Sequence, residues 1–217
     1  MITSRLIEFD PDDTWIFDSD NADRTAWTNQ FGDIASIHEF RKVPDLVAMP
    51  DESGIDALRD MYRKVLANVG GIVVVEPIAI NSIKSLRTII KLPQKPHGMT
   101  YISAITIPFD DRSYVLRFQC PEIGTTGARD AAVAIMRMDT LKTGPDGFPQ
   151  GWIIDPYSRT ETPGARFNLS DEEQYDAMFP DHPLSRARRY VVAPVAVLKF
   201  KADIATLKGF TLARKPW

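Results

Sequence analysis

Apolar and polar residues alternate along the middle of the chain. In SYVLRFQC (113–120), Tyr114, Leu116, Phe118 and Cys120 fall on one side, and Val115, Arg117 and Gln119 on the other. This period-two pattern is that of a strand with one face in a core. Three runs of similar texture precede it: IVVVEPIAI (72–80), SIKSLRTIIKL (82–92) and TYISAITIPF (100–109). Asn81-Ser82, a loop over 93–99 and Asp110-Asp111 separate them, and connections this short predict an antiparallel meander. Pro77 marks the first run as an edge strand or the site of a bulge.

Helical periods flank the meander. Ile55, Leu58, Tyr62, Val65, Leu66 and Val69 recur at helical spacing, with Ser53 and Asp56 reading as a capping box and Gly70-Gly71 as the stop. A second helix is expected over 127–138, with Ala131, Ala132, Ile135 and Met136 on or near one face. Ser170 to Glu173 reads as the capping box of a short helix reaching Met178. Pro183 suits the first turn of another helix, which Pro194 limits. Residues 143–168 are rich in Gly and Pro and predict a long loop, functional or mobile. Residues 1–50 read as irregular and aspartate-rich, with TWIF and ASIHEF as short edge strands.

Composition narrows the class. With 217 residues, 44% hydrophobic and 25% charged, the chain has the make-up of a soluble globular protein able to bury a core unaided. One cysteine excludes an intramolecular disulfide. The opening MITSRLIEFDPDD shows no apolar run of signal length, and no window reaches the length of a membrane span, so the expected location is cytoplasmic. The net charge of −3 hides an asymmetry. Residues 1–60 hold 14 acids against 5 bases, whereas residues 185–217 hold 8 bases against Asp203 alone. Either the two ends meet in the fold or one of them docks a partner of opposite charge. The bases are dispersed and lack interleaved aromatics, which argues against nucleic acid.

Candidate chemistry is sparse. Strand parity turns Cys120 toward the core, where a thiol is a small hydrophobe with a raised pKa and not an activated nucleophile. The GTTG turn at 124–127 lacks the Lys-Ser/Thr ending of a phosphate loop, so Thr125 or Thr126 reads as a helix cap, with Gly124 and Gly127 allowing the turn. Asp130 in the first helical turn disfavours an anion there. Asp181-His182 lacks the ligand count for zinc, and DPDD at 10–13 lacks the Gly and distal Glu of a calcium loop, so no metal and no cofactor is expected. Arg186, Arg188 and Arg189 form the densest basic cluster, available to the acidic N-terminal segment or to a partner's carboxylates. Phe148, Trp152 and Tyr157 sit in the long loop, where aromatics either fold back or anchor an interface.

The order helix, four-strand meander, helix resembles the PsbP-like fold, a family that includes an extrinsic lumenal photosystem subunit, a Ran-binding nuclear-import factor and bacterial effector chaperones. GIDALRDMYRKVLANVGG leading into the strands and SYVLRFQCPEIGTTGARDAAVAIM leaving them carry the likeness, over about residues 35–140. It implies a central, mainly antiparallel sheet flanked by helices as an α/β/α sandwich; the chain is read as a single α+β domain (1–217) with a sheet-helix core at 35–140, while the acidic start and the loop-rich C-terminal extension at 141–217, packed on that core, depart from the family pattern. It also implies a non-enzymatic role as a protein-binding module. A bacterial immunity protein or an adaptor that masks a toxin or secreted effector fits this expectation, with the aromatic loop and the arginine cluster as the contact. The alternative is a small hydrolase or transferase with Cys120 or His182 in a cleft formed by 143–168. Oligomeric state is not legible.

Overall fold

The computed structural model describes residues 5–145, 149–160, 166–192 and 197–212. Its main feature is a seven-stranded sheet in the order β2-β3-β4-β8-β7-β6-β5, antiparallel at every step. The strands are β2 (Trp15–Asp20), β3 (Arg24–Asn29), β4 (Ile34–Phe40), β5 (Gly71–Ile80), β6 (Ile83–Pro93), β7 (Met99–Pro108) and β8 (Ser113–Pro121). A second, two-stranded sheet joins β1 (Ile7–Phe9) to β9 (Leu198–Phe200). The described elements also include three α-helices, α1 (Ile55–Leu66), α2 (Ala128–Met136) and α3 (Pro183–Val192), and short 3-10 turns at Leu169–Asp171, Glu173–Tyr175 and Ala202–Thr206.

The expected meander is present as β5 to β8. Asn81 and Ser82 make its first turn with φ of 48° and 66°, the left-handed pair that a tight hairpin needs. Pro77 sits where its missing N–H costs least, in β5 at the sheet edge, and the bulge lies nearby between Ile72 and Val74.

Residues 15–40 are more regular than expected: TWIF leads into β2, an edge strand as read, but β3 joins it and ASIHEF falls in β4, which lies in the interior of the sheet, bonded to both β3 and β8. The sheet therefore begins well before residue 35. The alternation that would announce β2 is interrupted by a register shift between Phe17 and Ser19.

Parity divides the sheet into two faces. On one, Ile37, Ile89, Tyr101, Ile105, Leu116, Phe118 and Cys120 form the principal core with Leu184, Ala187 and Val191 of α3 and with Ile7, Phe167, Leu169 and Leu198. α3 lies across β7 and β8. The segment after residue 141 supplies Phe167, Leu169, Leu184, Ala187, Val191 and Leu198 to this core. On the other face, Ile55, Leu58 and Leu66 of α1 pack on Ile72, Val75 and Leu86. Each such buried side chain contributes about 1.5–3 kcal/mol. Val65 and Val69, counted with the apolar stripe, are exposed.

The helix ends correct three local expectations. Gly54, not Ser53, is the N-cap of α1, and no side chain caps it, because the Ser53 hydroxyl donates to Asp51 instead (2.7 Å). Neither threonine caps α2. Its N-cap is Gly127 at φ 71°, whose N–H donates to Glu122 (2.9 Å), while Thr126 meets His97. The capping box near residue 170 is Asn168 with Asp171, around a single 3-10 turn, Leu169–Asp171. The inward face of α2 is also different: Arg129 and Val133 are buried, while Ile135 and Met136 are exposed. Arg129 wins the interior because it has acceptors there, namely the carbonyls of Ser170 (2.7 Å) and Glu172 (3.0 Å), Asp176 (2.9 Å) and the Ser185 hydroxyl (2.8 Å).

Candidate functional site

The two charged ends do meet. β1 and β9 pair, Lys199 bonds Asp10 (2.8 Å) and Lys201 bonds Glu8 (2.6 Å). Deeper inside, Arg186 of α3 grips Asp33, ahead of β4, with Nε and a terminal nitrogen each at 2.7 Å. The Tyr190 hydroxyl donates to the same carboxylate (2.9 Å). Such a bidentate pair between buried partners is directional and costly to break.

This engagement changes the status of the basic cluster. Arg186 and Arg188 are buried, and Arg188 bonds Asp176 (2.9 Å) and the carbonyl of Asp171. Both are held inside the fold and are not presented to a partner. Arg189 is exposed, with one nitrogen on the Pro180 carbonyl. The aromatic loop folds back in the same way. Trp152 packs against the principal core. Tyr157 lies under the Arg59 guanidinium (3.7 Å to the ring centre), and its hydroxyl donates to the carbonyl of Val75 (3.1 Å). Phe148 lies outside the described residues.

Cys120 is fully buried. Burial pushes its thiol well above the ordinary range, and the neighbouring Asp33 carboxylate pushes it further. A thiolate does not form readily there. His182 lines a cleft of about 650 Å³, but residues 143–168 do not build it: the walls come from 29–32, 121–128 and 181–186. The ring is committed on both sides, with Nδ1 accepting from the Leu184 N–H (3.2 Å) and Nε2 facing Glu122 (3.6 Å). Burial would raise the Glu122 carboxyl, yet hydrogen bonds from His182 and from the N–H groups of Gly127 and Met99 hold it below its usual value. The acid has a structural task, fixing the turn at Gly127 that leads into α2 and closing the loop before β7. Among the described residues, no group of three or more His, Cys, Asp or Glu is placed to hold a metal ion. No helix there is long and apolar enough to cross a membrane.

What remains open is a face of the sheet. α1 covers it only over β5 and β6. From β7 across β8, β4 and β3 to β2, the side chains of this parity are half-exposed: Ile102, Ala104 and Thr106, then Val115, Arg117 and Gln119, then Ile34 and His38, then Arg24 and Thr28. Ile16 on the edge strand continues the row and is 69% exposed. Two small residues, Ala26 and Ser36, sit buried near its centre. The His38 ring stacks on Phe40 (5.7 Å, 4° between planes), and its Nε2 meets the Ser36 hydroxyl (3.0 Å). The alternation of SYVLRFQC already separated Arg117 and Gln119 from the core. Arg24 and His38 escaped notice because β3 gave no strand signal and β4 read as an edge. Comparison with protein-family models and with curated proteins finds no match to this chain.

Proposed function

We propose that the chain is a non-enzymatic protein-binding module, an immunity or adaptor protein that masks a partner by steric and electrostatic cover. The observation that carries this reading is the half-exposed sheet face spanning β2, β3, β4, β8 and β7, while Cys120 and His182 are both held within the fold. A rigid antiparallel sheet presents side chains at fixed spacing and loses little entropy on docking. The order of helix and meander, like that of the PsbP-like fold with its helix–sheet–helix layering, agrees with a binding role. The contact surface moves from the arginine cluster and aromatic loop to the sheet face, because Arg186, Arg188, Trp152 and Tyr157 are engaged within the fold.

The test is recovery of the tagged full-length chain from its native cell, comparing wild type with Thr28→Trp and Gln119→Trp. Both changes place a bulky, strand-compatible side chain on the open face. Retention of a defined protein by wild type and by Ile135→Ser, but not by the tryptophan variants, is the expected result. A partner retained by all four chains removes the sheet face from the account, and no partner with wild type removes the binding role.

A further inference from the structure

The open face carries charge that the fold does not neutralise. In register, Arg24 of β3 stands opposite His38 of β4, and Arg117 of β8 stands opposite Ser36 of β4. The two arginines therefore flank β4 from either side, on strands spaced about 4.8 Å apart. The Nε–H of each is shielded from solvent and has no acceptor. Arg5, Arg87 and Arg137 also leave Nε unpaired; Arg5 and Arg87 each hold a carboxylate, Asp20 (3.1 Å) and Glu76 respectively, and Arg137 stands alone at the C-cap of α2, whereas Arg24 and Arg117 lie together on one face of the sheet. Arg24 and Arg117 hold no carboxylate among the described residues.

Their neighbourhood makes this costly. Burial and then the charge of Arg24 pull the Arg117 guanidinium below its usual value. Burial, then Arg117, Arg24 and Arg5, push the His38 ring down to about 4, so it stays neutral at pH 7. The surrounding side chains are apolar or hydroxylic: Ile34, Ile102, Ala104, Thr106 and Val115. Two cations half-sunk in such a surface without counter-charge weaken the fold unless a ligand supplies the counter-charge.

We infer that this face is built to receive an acidic segment of a partner protein, with Arg24 and Arg117 each taking a side-chain carboxylate through the guanidinium fork. The inference rests on the protein-binding reading. A carboxylate fits the fork in a planar, two-bond geometry, and flanking apolar side chains of the segment fit Ile34, Ile102 and Val115. A nucleic acid fits less well: two cations on a chain of net charge −3 make a poor track for a polyanion.

The experiment follows the arginine Nε–Hε signals of the ¹⁵N-labelled full-length chain during titration with tetraglutamate, inorganic phosphate and a ten-nucleotide oligothymidylate. The expected result is a saturable shift at Arg24 and Arg117 with tetraglutamate, weaker responses to the other two probes, and roughly tenfold or greater loss of affinity in R24Q/R117Q. R117K, which keeps the charge but loses the fork, falls between. A response to oligothymidylate or phosphate as strong as that to tetraglutamate overturns the assignment, and so does the absence of a saturable shift. Denaturation gives a second check: R117Q holds or raises the unfolding midpoint if the arginine is kept for a ligand, and a lowered midpoint makes it structural and refutes the inference. Retention of a partner from the native cell separates the two levels. Equal retention by wild type and R24Q/R117Q overturns the acidic-segment inference and leaves the binding role standing. Tetraglutamate binding with no retained partner leaves the carboxylate-binding site standing and overturns the protein-binding role, and with it the partner's segment as the occupant.

Discussion

Replacing Arg186 with Met is the sharpest probe of how the fold is closed. The guanidinium makes two 2.7 Å bonds to Asp33, and both side chains are buried, at 6% and 0% exposure. Methionine keeps the volume and removes the charge. Asp33 then stays buried with the Tyr190 hydroxyl at 2.9 Å as its remaining strong donor. Removing one partner of a buried pair costs about 3–5 kcal/mol. For a chain of this size that lowers the melting temperature by roughly 6–20 °C. Neutralising the orphaned acid as well, in R186M/D33N, recovers at least about 1 kcal/mol, because the stranded charge and not the lost packing carries most of the penalty. Urea denaturation at pH 7, followed by tryptophan fluorescence and circular dichroism, measures both values. A cost below about 1 kcal/mol for R186M, or no recovery on adding D33N, refutes the reasoning.

Other expectations follow from the same geometry. The Cys120 thiol of the native protein reacts with a disulfide reagent slower than that of the urea-unfolded chain by roughly a thousandfold or more; comparable rates contradict its burial. His38 makes stability pH-dependent. Its folded value of about 4 lies below the ordinary 6.5, so the unfolded chain binds a proton between those limits and the folded chain does not. Stability from this residue is whole above pH 6.5 and falls as the pH drops toward 4, by on the order of 1–2 kcal/mol after allowance for solvent screening. Subtracting the pH profile of His38→Gln isolates it, and identical profiles count against the described environment.

Legibility in the sequence followed the range of the interaction. β5 to β8 and α1 could be read from periodicity because their patterns are local and regular. The same parity that sent Cys120 inward also set Arg117 on the opposite face. TWIF marks only the start of β2, because a register shift breaks the alternation beyond Phe17, and β3 is hidden because RTAWTN is only partly buried on its apolar side. The caps failed for a related reason. Glu122, just beyond β8, accepts from the N–H of Gly127, the N-cap residue of α2, which no short motif encodes. The inward turn of Arg129 depends on acceptors supplied by residues 170–185, and the partner of Arg186 lies 153 positions away. A pattern of hydrophobic spacing does not register buried arginines. It assigned Ile135 and Met136 to the interior, and it left Arg186 and Arg188 available to a partner when the fold consumes both.

Photo-crosslinking in the native cell shows whether the uncovered sheet face is the surface that meets a partner. A benzophenone side chain placed at Gln119, on that face, is expected to give a discrete covalent adduct with another protein on irradiation. The same group at Ile135, on the outer side of α2, is expected to give none. An adduct from position 135 and not from position 119 contradicts the account.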